Sequence, residues 1–86
     1  MKIYQVVDGM EDVMTEEDVV YFGTDFESAK EAKQRLIEHN DAYLTAREKK
    51  RAYVEARIYE ISDDLDLSDD DAVTDAICEC GGYDTF

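Results

Sequence analysis

The chain has 86 residues and carries 9 Lys+Arg against 23 Asp+Glu, a formal charge of −14. That balance excludes nucleic-acid binding through a basic surface and disfavours attraction to anionic membranes. Hydrophobic residues at 44% and aromatics at 10% are too many for a disordered acidic tail, so 1–86 reads as a single folded domain.

Residues 2–7 (Lys-Ile-Tyr-Gln-Val-Val) are β-branched and aromatic, and predict a strand. Asp8-Gly9 predicts a turn, and Thr15-Glu16-Glu17-Asp18 a short capped turn. Val19–Phe22 predicts a second strand stopped by Gly23, paired antiparallel with the first because parallel pairing would need a crossover. Thr24-x-x-Glu27 has the form of a capping box. Apolar positions at Phe26, Ala29, Ala32, Leu36, Tyr43 and Leu44 then follow helical spacing. A helix from about 25 to about 49 is expected, with a bend near His39-Asn40-Asp41.

Tyr53–Ile61 predicts the longest strand, with Val54, Ala56 and Ile58 facing the helix. Its other face carries Tyr53, Glu55, Arg57, Tyr59 and Ile61, apolar at the ends and charged in the middle. Such a face would be half-wet, covered by the C-terminal segment, or set against a partner. Ser68-Asp-Asp-Asp71 has the form of another capping box, for a short helix over about 69–79 that Gly81-Gly82 ends. The expected fold is α+β: a three-stranded antiparallel sheet packed by one long helix, plus a short C-terminal helix, in the order β-β-α-β-α.

No segment approaches the roughly 18 apolar residues of a membrane span, and Met1–Asp8 has no apolar run of signal-peptide length. Cys78 and Cys80, two apart, would close a strained disulfide ring and suit a reducing compartment. A cytoplasmic location is therefore expected.

The sequence offers little for catalysis. His39 is the only histidine, on a polar stretch, and no Gly-rich phosphate loop occurs. Cys78-Glu79-Cys80 supplies two of the four ligands zinc needs. Asp64-x-Asp66-x-Ser68, with Asp70 and Asp75, imitates a calcium loop, but Asp69 stands where glycine is required. The expectation is a non-enzyme without cofactor or metal; a divalent-cation module built on Asp63–Asp75 is the least favoured alternative.

The placement of charge says more. Eight of the nine bases lie between Lys30 and Arg57, whereas Ile58–Phe86 has ten acids and no base. The densest acidic patch is Asp63, Asp64, Asp66, Asp69, Asp70 and Asp71; the second is Glu11, Asp12, Glu16, Glu17 and Asp18. Carboxylates at this density can imitate a phosphate backbone and occupy a groove of Lys and Arg on a nucleic-acid-binding protein. Tyr53 and Tyr59 would add anchors, because tyrosine buries a ring while its hydroxyl stays satisfied.

The small size, the extreme charge and the lack of a catalytic motif resemble phage-encoded inhibitors of host defence, of the anti-CRISPR and anti-restriction DNA-mimic type. That resemblance, spread over the whole chain, implies a protein partner in the cytoplasm of a host cell. The alternative is a small adaptor or homodimeric module, joined across Tyr53, Tyr59 and Ile61, whose acidity serves solubility.

Overall fold

The computed structural model describes Met1–Glu11 and Met14–Phe86. Strand β1 (Lys2–Met10) pairs antiparallel with β2 (Glu16–Gly23) and with β3 (Ala52–Glu60). Helix α1 (Phe26–Tyr43) and the single turn α2 (Ala46–Lys49) join β2 to β3. Helix α3 (Asp70–Glu79) follows, and a two-residue strand β4 (Asp84–Thr85) pairs with β3 at Arg57 and Ile58. The fold is α+β, with one antiparallel sheet ordered β2-β1-β3-β4.

Four strands thus replace the expected three. Asp84 and Thr85 are too short a run to predict a strand, and Asp disfavours one; the unpaired edge of β3 recruits them. The first two strands also run past the expected turns. Asp8 and Gly9 stay in β1, opposite Asp18 and Glu17 of β2. Ladder hydrogen bonds and the partner strand β3 outweigh the local turn preference of Asp-Gly. A bulge between Val6 and Val7 in the register leaves one extra residue on β2 at Val19–Val20.

The long helix is two helices. Leu44 is extended and ends α1, its N–H bonded to the Asn40 carbonyl. Thr45 then starts α2 with a full capping box: its hydroxyl accepts from Glu48 N–H and the Glu48 carboxylate accepts from Thr45 N–H. The break therefore falls after His39–Asp41, at a Thr-x-x-Glu visible in the sequence. Both expected caps shift by one residue. Asp25, rather than Thr24, caps α1 by accepting from Glu27 N–H at 3.1 Å and from Ser28 Oγ at 2.7 Å. Asp69, rather than Ser68, caps α3 by accepting from Ala72 N–H at 3.2 Å.

The sheet has two different faces. Against α1, Val6 and Ala56 meet Ala29 and Leu36, ringed by Tyr4, Tyr21, Ala32, Val54 and Phe86. Phe86 closes this side through edge contacts with Tyr4 and Phe26, at ring separations of 5.8 and 5.4 Å. Each fully buried aliphatic side chain here contributes about 1.5–3 kcal/mol. On the opposite face, Ile3, Tyr59 and Ile61 form a second cluster with Leu65, Ala76, Ile77 and Cys80. Helix α3 thus covers one end of the second face.

Candidate functional site: a charged sheet face and an acidic end

Beyond α3, the second face is held by polar side chains. Period-two alternation puts Gln5, Val7 and Gly9 of β1 on it, opposite Arg57, Glu55 and Tyr53 of β3. Glu17 of β2 joins them across from Gly9. Arg57, with a side chain only 14% exposed, is the centre. Its Nε donates to Glu55 Oε1 at 2.9 Å and its Nη2 to Glu17 Oε1 at 3.2 Å. The Tyr53 hydroxyl donates to the same Glu17 oxygen at 2.6 Å, and the Tyr59 hydroxyl to Gln5 Oε1 at 3.4 Å. Tyr83 donates to Glu55, and its ring lies 4.9 Å from the Arg57 guanidinium carbon. Val7, 1% exposed, lies in the sheet among these groups. The C-terminal segment therefore does cover part of this face, through Tyr83.

The electrostatics follow from that geometry. The Arg57 guanidinium and the Tyr83 hydroxyl hold the Glu55 carboxyl below its ordinary range. Donation to the Glu17 carboxylate pushes the Tyr53 hydroxyl up to about 12. Arg57 is shifted upward, chiefly by its bond to Glu55, and stays charged at any accessible pH. Two carboxylates share one cation and two neutral phenols, so the network keeps a single net negative charge.

Gly9 fits beneath the Tyr53 ring because it has no side chain. A Cβ there would stand 2.1 Å from Tyr53 Cζ. The expected turn glycine is instead a close-approach glycine within a strand.

The acids predicted for partner binding divide into two groups at opposite ends of the sheet. Met10 pairs with Glu16 and Ala52, whereas Lys2 pairs with Glu60 at the other end. Eight residues of strand separate these ends, about 26 Å at the strand rise. Glu11, Glu16, Glu17 and Asp18 belong to the first end; Asp12 lies outside the described residues. Glu11 is exposed, and its N–H donates to the Arg51 carbonyl at 2.8 Å, which brings the basic run Arg47–Arg51 to the same end. Glu17 turns into the Arg57 network, while Asp18 lies opposite Asp8 on the α1 face. The two acidic patches are thus not one surface.

Asp63, Asp64, Asp66, Asp69, Asp70 and Asp71 are all exposed, on the chain that leaves β3 at the second end and on the cap and first turn of α3. Some have local tasks. Asp63 pairs with the Met1 amine at 2.6 Å, which lowers its pKa and raises that of the amine. Asp66 accepts from Ser68 N–H at 3.0 Å and from Ser68 Oγ at 2.6 Å, and its pKa falls accordingly. Asp70 and Asp71 sit at the positive end of the α3 dipole. Among the described residues, no three His, Cys, Asp or Glu side chains converge to hold a metal ion. The calcium-like spacing of Asp64–Asp75 folds as turns followed by a capped helix.

The predicted tyrosine anchors fare differently. Tyr59 is 7% exposed and Ile61 is 8% exposed, both packed into the α3 cluster, so neither offers a ring or side chain to a second molecule. Tyr53 is half-buried and spoken for by Glu17. The exposed apolar side chains lie elsewhere, Val19, Val20 and Phe22 of β2 among them. The run Val19–Phe22 flagged that strand in the sequence, but not which strand would be left at an edge.

His39 is exposed and stacks with Tyr43 at 4.8 Å between ring centres. Cys78 and Cys80 are free thiols, Cys80 Sγ lying 3.2 Å from the Glu60 carbonyl. No helix among the described residues is long and apolar enough to cross a membrane. No family model, no curated protein and no solved structure matches this chain.

Proposed function

We propose that this protein is a non-enzymatic acidic inhibitor that occupies a basic nucleic-acid-binding groove on a protein partner. The carboxylates of the second end stand in for phosphates. The observation that carries the reading is segregation of charge. Ile58–Phe86 holds ten acids and no Lys or Arg, and that segment leaves the sheet at Glu60, at the end opposite Arg51.

The spacing suits the role. Helix α3 has 10 residues and is about 15 Å long. Asp71, Asp75 and Glu79 recur every four residues along one face of it, about 6 Å apart, a regular line of negative charge of the kind a phosphate backbone presents. Helical geometry fixes these charges in advance, so little ordering entropy is lost on binding. The first end contributes less, because Glu17 is already paired with Arg57 and Tyr53. This is also the role that the resemblance to inhibitors of host defence implies.

The test is capture. Immobilised protein is offered a host lysate at low salt, and duplex DNA is added to the wash. A nucleic-acid-binding protein that DNA displaces, and that Asp64→Asn/Asp70→Asn/Asp71→Asn/Asp75→Asn fails to hold, supports the proposal. A partner indifferent to DNA, salt and those substitutions sinks it.

A further inference from the structure

The sheet has two edges, and only one is closed. Outside β3 lie β4, the Phe86 N–H on the Ala56 carbonyl at 3.1 Å, and Cys80 on the Glu60 carbonyl. Outside β2 no described strand lies, so an eight-residue strand presents its outer backbone groups to solvent. Strands of this kind are usually blunted by charged side chains, by proline or by a bulge. In β2, Glu-Glu-Asp-Val-Val-Tyr-Phe-Gly, the charges end at Asp18, there is no proline, and the bulge at Val19–Val20 is the one such device within the apolar half. Val19, Val20 and Phe22 are 54%, 46% and 41% exposed along it.

We infer that β2 is a self-association edge: two copies of this chain join β2 to β2 antiparallel about a two-fold axis at Val19–Val20, making one continuous eight-stranded sheet. The pattern of faces and charges selects a second copy. In β2, Glu17 and Phe22 share the second face, and Asp18 and Tyr21 share the α1 face, because the bulge at Val19–Val20 shifts the alternation by one. Pairing about that point sets Glu17 opposite Phe22, Asp18 opposite Tyr21 and Glu16 opposite Gly23. Each of these three pairs then meets on one face, and no acid opposes an acid across the new ladder. Such an interface is isologous and closes at two copies. It replaces the expected homodimer across Tyr53, Tyr59 and Ile61, whose surface α3 has already covered in part.

Salt gives this association a signature opposite to that of groove binding. Each copy carries −14, so screening removes repulsion and strengthens the pair. Sedimentation of the full chain, from about 10 µM to about 1 mM and from low to high salt, reads it directly. The expected result is a rise from 9.9 kDa toward twice that mass, favoured by salt. Val20→Glu puts two carboxylates at the axis and should weaken the pair about tenfold or more. Tyr43→Glu adds the same charge at an exposed position on α1 and should leave it nearly unchanged. Amide exchange in the unaltered protein should slow at Glu17 and Phe22 as concentration rises. A mass fixed at 9.9 kDa throughout overturns the inference. So does a dimer that both substitutions weaken equally, or one that leaves the β2 amides unprotected.

Discussion

Glu17 and Asp70 belong to runs that look alike in sequence, Glu-Glu-Asp at 16–18 and Asp-Asp-Asp at 69–71. The fold treats them differently. Glu17 lies on a sheet face within 3.2 Å of Arg57, a residue 40 positions away, and under the hydroxyl of Tyr53. Asp70 and Asp71 are exposed on a helix whose nearest chain neighbours, Ile58–Phe86, contain no cation. A carboxylate with a partly buried cation is a structural element; one without is a surface charge free to act on another molecule. Composition alone cannot separate the two, since both runs add to the same net charge.

The largest expected effect comes from removing that cation. Arg57→Met leaves Glu17 and Glu55 facing each other above Val7 and strips Tyr83 of its cation–π partner. A loss of about 2–4 kcal/mol in urea unfolding is expected. Adding Glu17→Gln and Glu55→Gln should recover part of it, because the repulsion goes with the charges. If Arg57→Met unfolds no more easily than the parent, the first region is as much a free surface as the second.

Gly9→Ala tests the same region through packing. The new Cβ displaces the Tyr53 ring and with it the hydroxyl on Glu17, for about 1–3 kcal/mol. Tyr53→Ala should remove most of that penalty when combined with it, read from the same unfolding curves. In the second region, Asp69→Ala removes the α3 cap and should cost about 1 kcal/mol, whereas Ser68→Ala should cost less. Equal costs would return the cap to Ser68.

Smaller still is the effect of neutralising free acids. Asp64→Asn and Asp75→Asn should change stability by within about 0.5 kcal/mol, while weakening capture of the basic partner. Unfolding that follows these substitutions as strongly as it follows Arg57→Met would erase the distinction between the two regions.

Titration sharpens the comparison without any loss of fold. The Tyr53 hydroxyl, raised to about 12 by Glu17, should ionise later than an ordinary tyrosine in the ultraviolet titration, and Glu17→Gln should bring it back toward 10. Its folded pKa is raised, so its contribution is complete below an ordinary tyrosine pKa of about 10 and is lost as pH rises through about 12. Glu55 has the opposite sign. Its folded pKa is depressed, so its contribution is present above the unfolded value of about 4.3 and is lost as pH falls through the folded one. Glu55→Gln should flatten the acid limb of stability against pH.

Much of this molecule is legible locally. The helical spacing from Phe26 to Leu36 placed α1, and Ala29 and Leu36 do face the sheet. Alternation in β3 correctly divided Val54 and Ala56 from Tyr53 and Arg57. Even the α1 break was written as Thr45-x-x-Glu48, a signal hidden by the continuing apolar period around it. Where reading failed, a partner distant in sequence had won. Asp8-Gly9 looks like a turn until β2 and β3 pair with it on both sides. Asp84-Thr85 looks like a tail until the edge of β3 offers hydrogen bonds.

The sequence by itself determined the α+β class, the order of its main elements, the caps of α1 and α3 to within one residue, and the segregation of charge along the chain. Each depends on period, propensity or side chains a few positions apart. Only the tertiary structure decided that Glu17 is paired with Arg57, that Tyr59 is buried, that the acidic runs stand apart, and that β2 is the open edge. Those outcomes depend on strand order and register, which contacts between residues far apart in the chain select together.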